Sequence, residues 1–185
     1  MNFKTLNWLF PLIGLILLFG SYKPAPAQVF MTQTEALHHA FADVDTVLRK
    51  TLFLSKDQKR SLEKKARAPF ASRIISYYVG QKAGKVVGYA FFEKQIVRTK
   101  PTIMMVVITP DGKVQSVEVL AFYEPRDYLP APGWFRRFHG KNLSPDLWPG
   151  RGVDAITGAT LSVRAFSLMV RRALALFELI GDQAQ

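Results

Sequence analysis

The residues best suited to chemistry lie in one run near the carboxyl end, Gly152-Val153-Asp154-Ala155-Ile156-Thr157-Gly158-Ala159-Thr160-Leu161-Ser162. Here an irregular stretch gives way to the start of a long helix. A helix start presents unpaired N–H groups and the positive end of its dipole, so it attracts anions. Gly158 and Ala159 let another group approach the backbone. Thr157, Thr160 and Ser162 set hydroxyls around the same point. That chemistry suits a phosphate. The plainer alternative is that Asp154, Thr157 or Thr160 caps the helix, as such residues commonly do. Spacing alone leaves both readings open.

Other chemistry is scarce. The 185 residues contain no cysteine and three histidines. A disulfide framework, a thiolate metal site and a cysteine nucleophile are excluded. His38 and His39 are adjacent, so on a helix they point to different faces and do not chelate as an i, i+4 pair would. His139 reads as a local hydrogen-bonding residue. No Ser-His-Asp set or carboxylate pair is legible, so no catalytic residue and no metal ligand is assigned.

The formal charge is +11. The cations are spread along the chain, without an aromatic-interleaved RNA motif or a recognition-helix pattern, so nucleic acid is not the expected partner. Solvated faces explain them most simply. Attraction to an anionic membrane surface or to an acidic redox partner is the sharper alternative.

The amino-terminal 27 residues read as an address. Lys4 precedes an uncharged apolar run at 9–19 (LFPLIGLILLF), and Ala25-Pro26-Ala27 has the small-x-small pattern of a signal-peptidase site. The run is short for a bilayer span. An uncleaved anchor is the alternative, against which Pro11 and the polar segment at 21–23 argue. Cleavage after Ala27 leaves one domain at 28–185 and places it in the periplasm or another extracytoplasmic space.

The elements that must position the run follow from periodicity. Ala36, Ala40, Val44 and Leu48, with Leu37 and Phe41, predict a helix opening at Thr32. Ser55 predicts the cap of a second, charged helix ending near Ala66. β-Branched and aromatic enrichment predicts strands at 73–79, 85–93, 102–109 and 114–122, with Pro110-Asp111-Gly112 as a tight turn. A proline-rich stretch holds a short helix at 133–138. Apolar positions from Phe166 to Ile180, spaced by three and four, predict a long amphipathic helix over 161–180. The expected fold is α+β: a mainly antiparallel sheet of about four strands, packed with N-terminal helices and a long C-terminal helix.

The run Asp154-x-x-Thr157-Gly158-Ala159-Thr160 resembles the flavinylation motif of the FMN-binding domain family. Relatives include the flavin subunits of the Rnf complex and of sodium-pumping NADH:quinone reductase, and the periplasmic flavin domain of nitrous-oxide-reduction regulators. The strand Val86-Val87-Gly88-Tyr89-Ala90, the Thr109-Pro110-Asp111-Gly112-Lys113-Val114 hairpin, the Tyr123-Glu124 turn, the Phe135-Arg136-Arg137-Phe138-His139-Gly140-Lys141 segment and the closing Ala173-Leu174-Ala175-Leu176 helix match in the same order. The resemblance covers roughly residues 70–180.

It implies FMN joined to Thr160 through a phosphodiester, attached from FAD by a Mg-dependent flavin transferase. Asp154, Thr157, Gly158 and Ala159 would form the recognition sequence. Leu161 and Ser162, with the N–H groups of the helix start, would lie at the phosphate. Glu124 would lie near the flavin ring, although Glu124-Pro125-Arg126-Asp127-Tyr128 departs from the Glu-Thr-Pro-Gly of the pump subunits. Trp134, Trp148 and Tyr128 would either stack on the ring or serve as ordinary packing residues. The implied role is electron relay between a membrane donor and a cytochrome-type or terminal-reductase acceptor. The alternatives are a flavin-dependent reductase acting on a small acceptor, and a non-redox interaction domain.

Overall fold

The computed structural model describes residues 28–183. Residues 1–27, expected to be an address segment, lie outside them. Six strands and four helices follow in order: β1 (Gln28–Val29), α1 (Gln33–Ala40), β2 (Thr46–Phe53), α2 (Lys56–Ala66), β3 (Ile74–Lys82), β4 (Lys85–Ile96), β5 (Pro101–Ile108), β6 (Val114–Phe122), α3 (Pro132–Phe135) and α4 (Thr160–Gln183). Short 3₁₀ turns occupy Arg126–Tyr128 and Arg136–Phe138.

The strands form one antiparallel sheet in the order β1-β6-β5-β4-β3-β2. The α+β class stands, and the four expected strands are its centre. Both edges were missed. β1 is two residues long, too short to leave a pattern. The expected α1 pattern ran on through Val44 to Leu48, but α1 ends at Ala40. Thr46 to Phe53 instead pairs residue by residue with β3, from Thr46↔Gln81 to Phe53↔Ile74. β2 is exposed except at Leu52, which is half-buried against the core, so it shows no alternation to betray it, and pairing with β3 overrides a weak four-residue spacing.

Both early helices open on reciprocal caps. Thr32 Oγ1 accepts from Glu35 N–H while the Glu35 carboxylate accepts from Thr32 N–H, and Ser55 and Gln58 repeat the exchange. β5 reads as an unbroken apolar run because it is buried on both faces. Met104, Val106 and Ile108 join the core under α4, and Met105 and Val107 join the core under α1. On the α4 side Phe166, Met169, Val170, Ala173 and Leu174 supply the helix's contribution. On the other side the Phe41 ring lies over Gly80, where a Cβ would come within 2.6 Å of it.

Two buried arginines tie α4 to its surroundings. Arg171 donates to the carbonyls of Ala66 (2.7 Å), Lys65 (3.3 Å), Ser144 (2.6 Å) and Leu147 (3.3 Å). It thereby satisfies carbonyls at the α2 carboxyl end and holds the 144–147 loop. Arg172 donates to Glu93 Oε2 (2.6 Å), Gln95 Oε1 (2.9 Å) and the Lys94 carbonyl (3.1 Å) of β4. These contacts set the height of α4 over the sheet, and so the place where its first turn opens.

Candidate functional site at the start of the last helix

The approach to α4 is held from below. Gly152 N–H donates to Asp146 O at 2.7 Å, and a Cβ on Gly152 would meet that same oxygen at 2.5 Å. Only glycine permits so close a crossing. Trp134 Nε1 donates to the Asp154 carbonyl at 2.9 Å. Its ring is buried edge-to-face against Phe135 and Phe138. Trp134 is therefore a core residue that also fixes the start of the motif. Trp148 lies half-buried under Arg164, whose Cζ stands 5.6 Å from the ring centroid.

The capping alternative does not describe this helix. The Asp154 carboxylate pairs with Arg137 Nη1 at 2.7 Å. Gly158 turns the chain with φ +83°, Ala159 N–H donates to Ile156 O, and the first helical bond runs from Val163 N–H to Ala159 O. The cap position thus falls on a methyl side chain, so the N–H groups of Thr160, Leu161 and Ser162 precede the first helical bond. Thr157 and Thr160 are exposed. Ser162 is only 1% exposed, and its Oγ has no hydrogen-bond partner among the described residues. An unpaired buried hydroxyl costs roughly 1–3 kcal/mol, so a hydrogen-bonding group brought to this point would relieve that cost.

Residues 158–162 form one wall of a small pocket of about 170 Å³, and Arg98 and Tyr128 form the other. The Arg98 guanidinium carbon stands 4.6 Å from the centroid of the Tyr128 ring. Arg98 escaped the sequence reading, since one cation in a turn carries no signal of what it faces.

Glu124 is buried behind this wall. Its Oε1 accepts from the backbone N–H groups of Arg98 (3.1 Å), Thr99 (2.6 Å) and Lys100 (2.8 Å). Burial by itself would raise the carboxyl, but these donors outweigh it and hold it below the usual range. The structure shows Glu124 organising the β4–β5 turn that carries Arg98.

A larger cleft, about 680 Å³, lies elsewhere. It runs along β6 and is mostly apolar, with Phe30, Val117, Leu129 and Phe135 among its walls, and no motif residue lines it. His139 Nδ1 pairs with the carbonyl of Gln115, 24 residues earlier, at 2.8 Å, rather than with a group in its own segment. Among the described residues no group of three His, Asp or Glu side chains is placed to hold a metal.

Residues 99–175 match the model of the FMN-binding domain family. That segment of the chain is similar to an FMN-binding domain. The match begins in the β4–β5 turn and ends inside α4, so it contains Glu124, the whole 154–160 motif and Ser162. No curated protein matches the chain. The donors at the α4 start, free N–H groups and a buried hydroxyl beside a small pocket, are of a kind that fits the phosphate of FMN.

Proposed function

We propose that this protein binds FMN, is exported, carries the FMN covalently on Thr160 and relays electrons between a membrane donor and periplasmic or other extracytoplasmic acceptors of the cytochrome type. The observation that carries the reading is the pairing of an exposed Thr160 with a buried, unpartnered Ser162 hydroxyl at a helix start that no side chain caps. A covalent tether also suits an exported carrier, because a dissociated cofactor would diffuse away.

Thr160 would hold FMN through a phosphodiester to its Oγ, formed as AMP leaves FAD and the hydroxyl proton passes to the flavin transferase, and the α4 N–H groups and the Ser162 hydroxyl would donate to the phosphate oxygens. Gly158, in its left-handed conformation, opens the approach, and the Trp134–Asp154 bond fixes the loop that presents Thr160. When bound, flavin supplies two-electron acceptance and one-electron release; the protein supplies orientation and electrostatics.

The test is the denatured intact mass of protein exported from a host with the transferase. The expected mass is that of residues 28–185 plus FMN less one water, and Thr160→Ala removes the added mass while the protein still folds. Retention of covalent flavin by Thr160→Ala would refute the assignment. The same spectrum reads the cleavage site after Ala27.

A further inference from the structure

We infer that Arg98 is the counter-charge of the flavin phosphate, held in position by Tyr128 on one side and by Glu124 through the turn backbone. The inference rests on the covalent-FMN reading and adds to it a residue outside the matched motif.

Three observations converge. First, Arg98 lines the same small pocket as Thr160 and Ser162, across from the open end of α4. Secondly, its guanidinium enters no ion pair among the described residues, whereas the carboxylates of Asp154 and Glu124 are engaged elsewhere. Asp154 is paired with Arg137, and Glu124 is engaged by three backbone N–H groups. A phosphodiester bonded only by backbone dipoles and one hydroxyl would leave its negative charge uncompensated, and Arg98 supplies the missing positive one. Thirdly, the arginine is pre-positioned. Stacking 4.6 Å over the Tyr128 ring limits its rotamers while leaving the guanidinium edge open for bidentate bonds to phosphate oxygens. The turn that bears it is pinned at residues 98, 99 and 100 by the one buried oxygen of Glu124.

Arg98 is therefore a binding residue and Glu124 a positioning residue. The arrangement assigns Glu124, expected near the ring, to the turn behind the phosphate. It also explains why an exposed arginine faces a helix start: two positive ends confront each other, which is unfavourable until an anion lies between them.

The experiment compares the protein with Arg98→Gln, Arg98→Lys and, as a control cation on the first turns of α4, Arg164→Gln. Each is exported alongside the transferase. Early-time intact mass gives the loading rate, and ³¹P NMR of loaded protein gives the phosphodiester resonance, native and denatured. The expected result is loading slowed about tenfold in Arg98→Gln, in keeping with loss of a charge-assisted pair, partly restored in Arg98→Lys and unchanged in Arg164→Gln, with equal melting temperatures. The native ³¹P resonance should move toward its denatured position in Arg98→Gln, or in Arg98→Lys if the first variant does not load. An unmoved resonance in the loaded variant would overturn the role of Arg98 and leave covalent FMN standing. Absence of the FMN mass from the parent protein would overturn both.

Discussion

Replacing Glu124 tests whether one buried carboxylate organises the β4–β5 turn. Glu124 is 6% exposed, and a single oxygen accepts three backbone N–H bonds at 2.6, 2.8 and 3.1 Å. Bonds to a charged acceptor contribute about 1.5–3 kcal/mol each. Arg98 and Thr99 are exposed, so water can take over part of the donors' demand, and about 1 kcal/mol per bond is the better figure. Glu124→Ala should therefore cost about 3 kcal/mol. Glu124→Gln, which keeps a carbonyl acceptor but loses the charge, should cost about 1.5 kcal/mol. At a urea slope of about 2 kcal/mol/M, the alanine variant's midpoint falls by about 1.5 M.

The pH dependence makes the test specific. The folded-state carboxyl is held below its ordinary value of 4.5. A depressed carboxyl adds stability that is present above the unfolded value and is lost as pH falls through the folded one. The gap between the parent and Glu124→Gln should thus be full at pH 7 and shrink progressively below about pH 4.5. Urea titrations followed by tryptophan fluorescence at pH 7, 5, 4 and 3 measure it. An equal gap at pH 7 and pH 3 would refute the electrostatic account. A cost below about 0.5 kcal/mol in Glu124→Ala would refute the organising role itself.

Two further outcomes follow from the packing. Arg172→Met leaves the buried Glu93 carboxylate without its partner and should cost about 3–5 kcal/mol, whereas Arg172→Met with Glu93→Leu should recover most of it. Burial already raises the Glu93 carboxyl against the pull of Arg172, so the single variant's cost should shrink on acidification as Glu93 takes a proton; a double-mutant cycle by urea denaturation at pH 7 and pH 4 reads both. Gly158→Ala has open space around its new methyl but must hold φ +83°, so it should cost about 1–2 kcal/mol by thermal denaturation and slow flavin loading, the second effect being the larger because the turn presents Thr160.

Much of the architecture was legible from local chemistry. The four central strands announce themselves because one or both faces are buried, which imposes alternation on β4 and β6 and an apolar run on β5. α2 was legible from its Ser55 cap, and α4 from a stripe that must cover a sheet. The edges were not. β1 is too short, and β2 is solvated except at Leu52, so neither burial nor periodicity constrains its other side chains; only its hydrogen bonds to β3 make it a strand.

The site divides along the same line. The Asp154–Thr160 run and Ser162 were visible in sequence because a helix start, its small residues and its hydroxyls are contiguous in the chain. Three things were decided by tertiary structure alone. The cap position falls on Ala159, so the hydroxyls are left for a ligand. Trp134 belongs to the core and anchors Asp154 through a bond between residues twenty apart. Arg98 and Tyr128, separated from the motif by some sixty and thirty residues, complete the pocket because β4, β6 and α4 reach the same end of the sheet. Local sequence dictates what an element is, since propensity and capping act over a few residues. Which charge faces which helix end depends on strand order and on the height of α4 over the sheet, and those are set by contacts between residues distant in the chain.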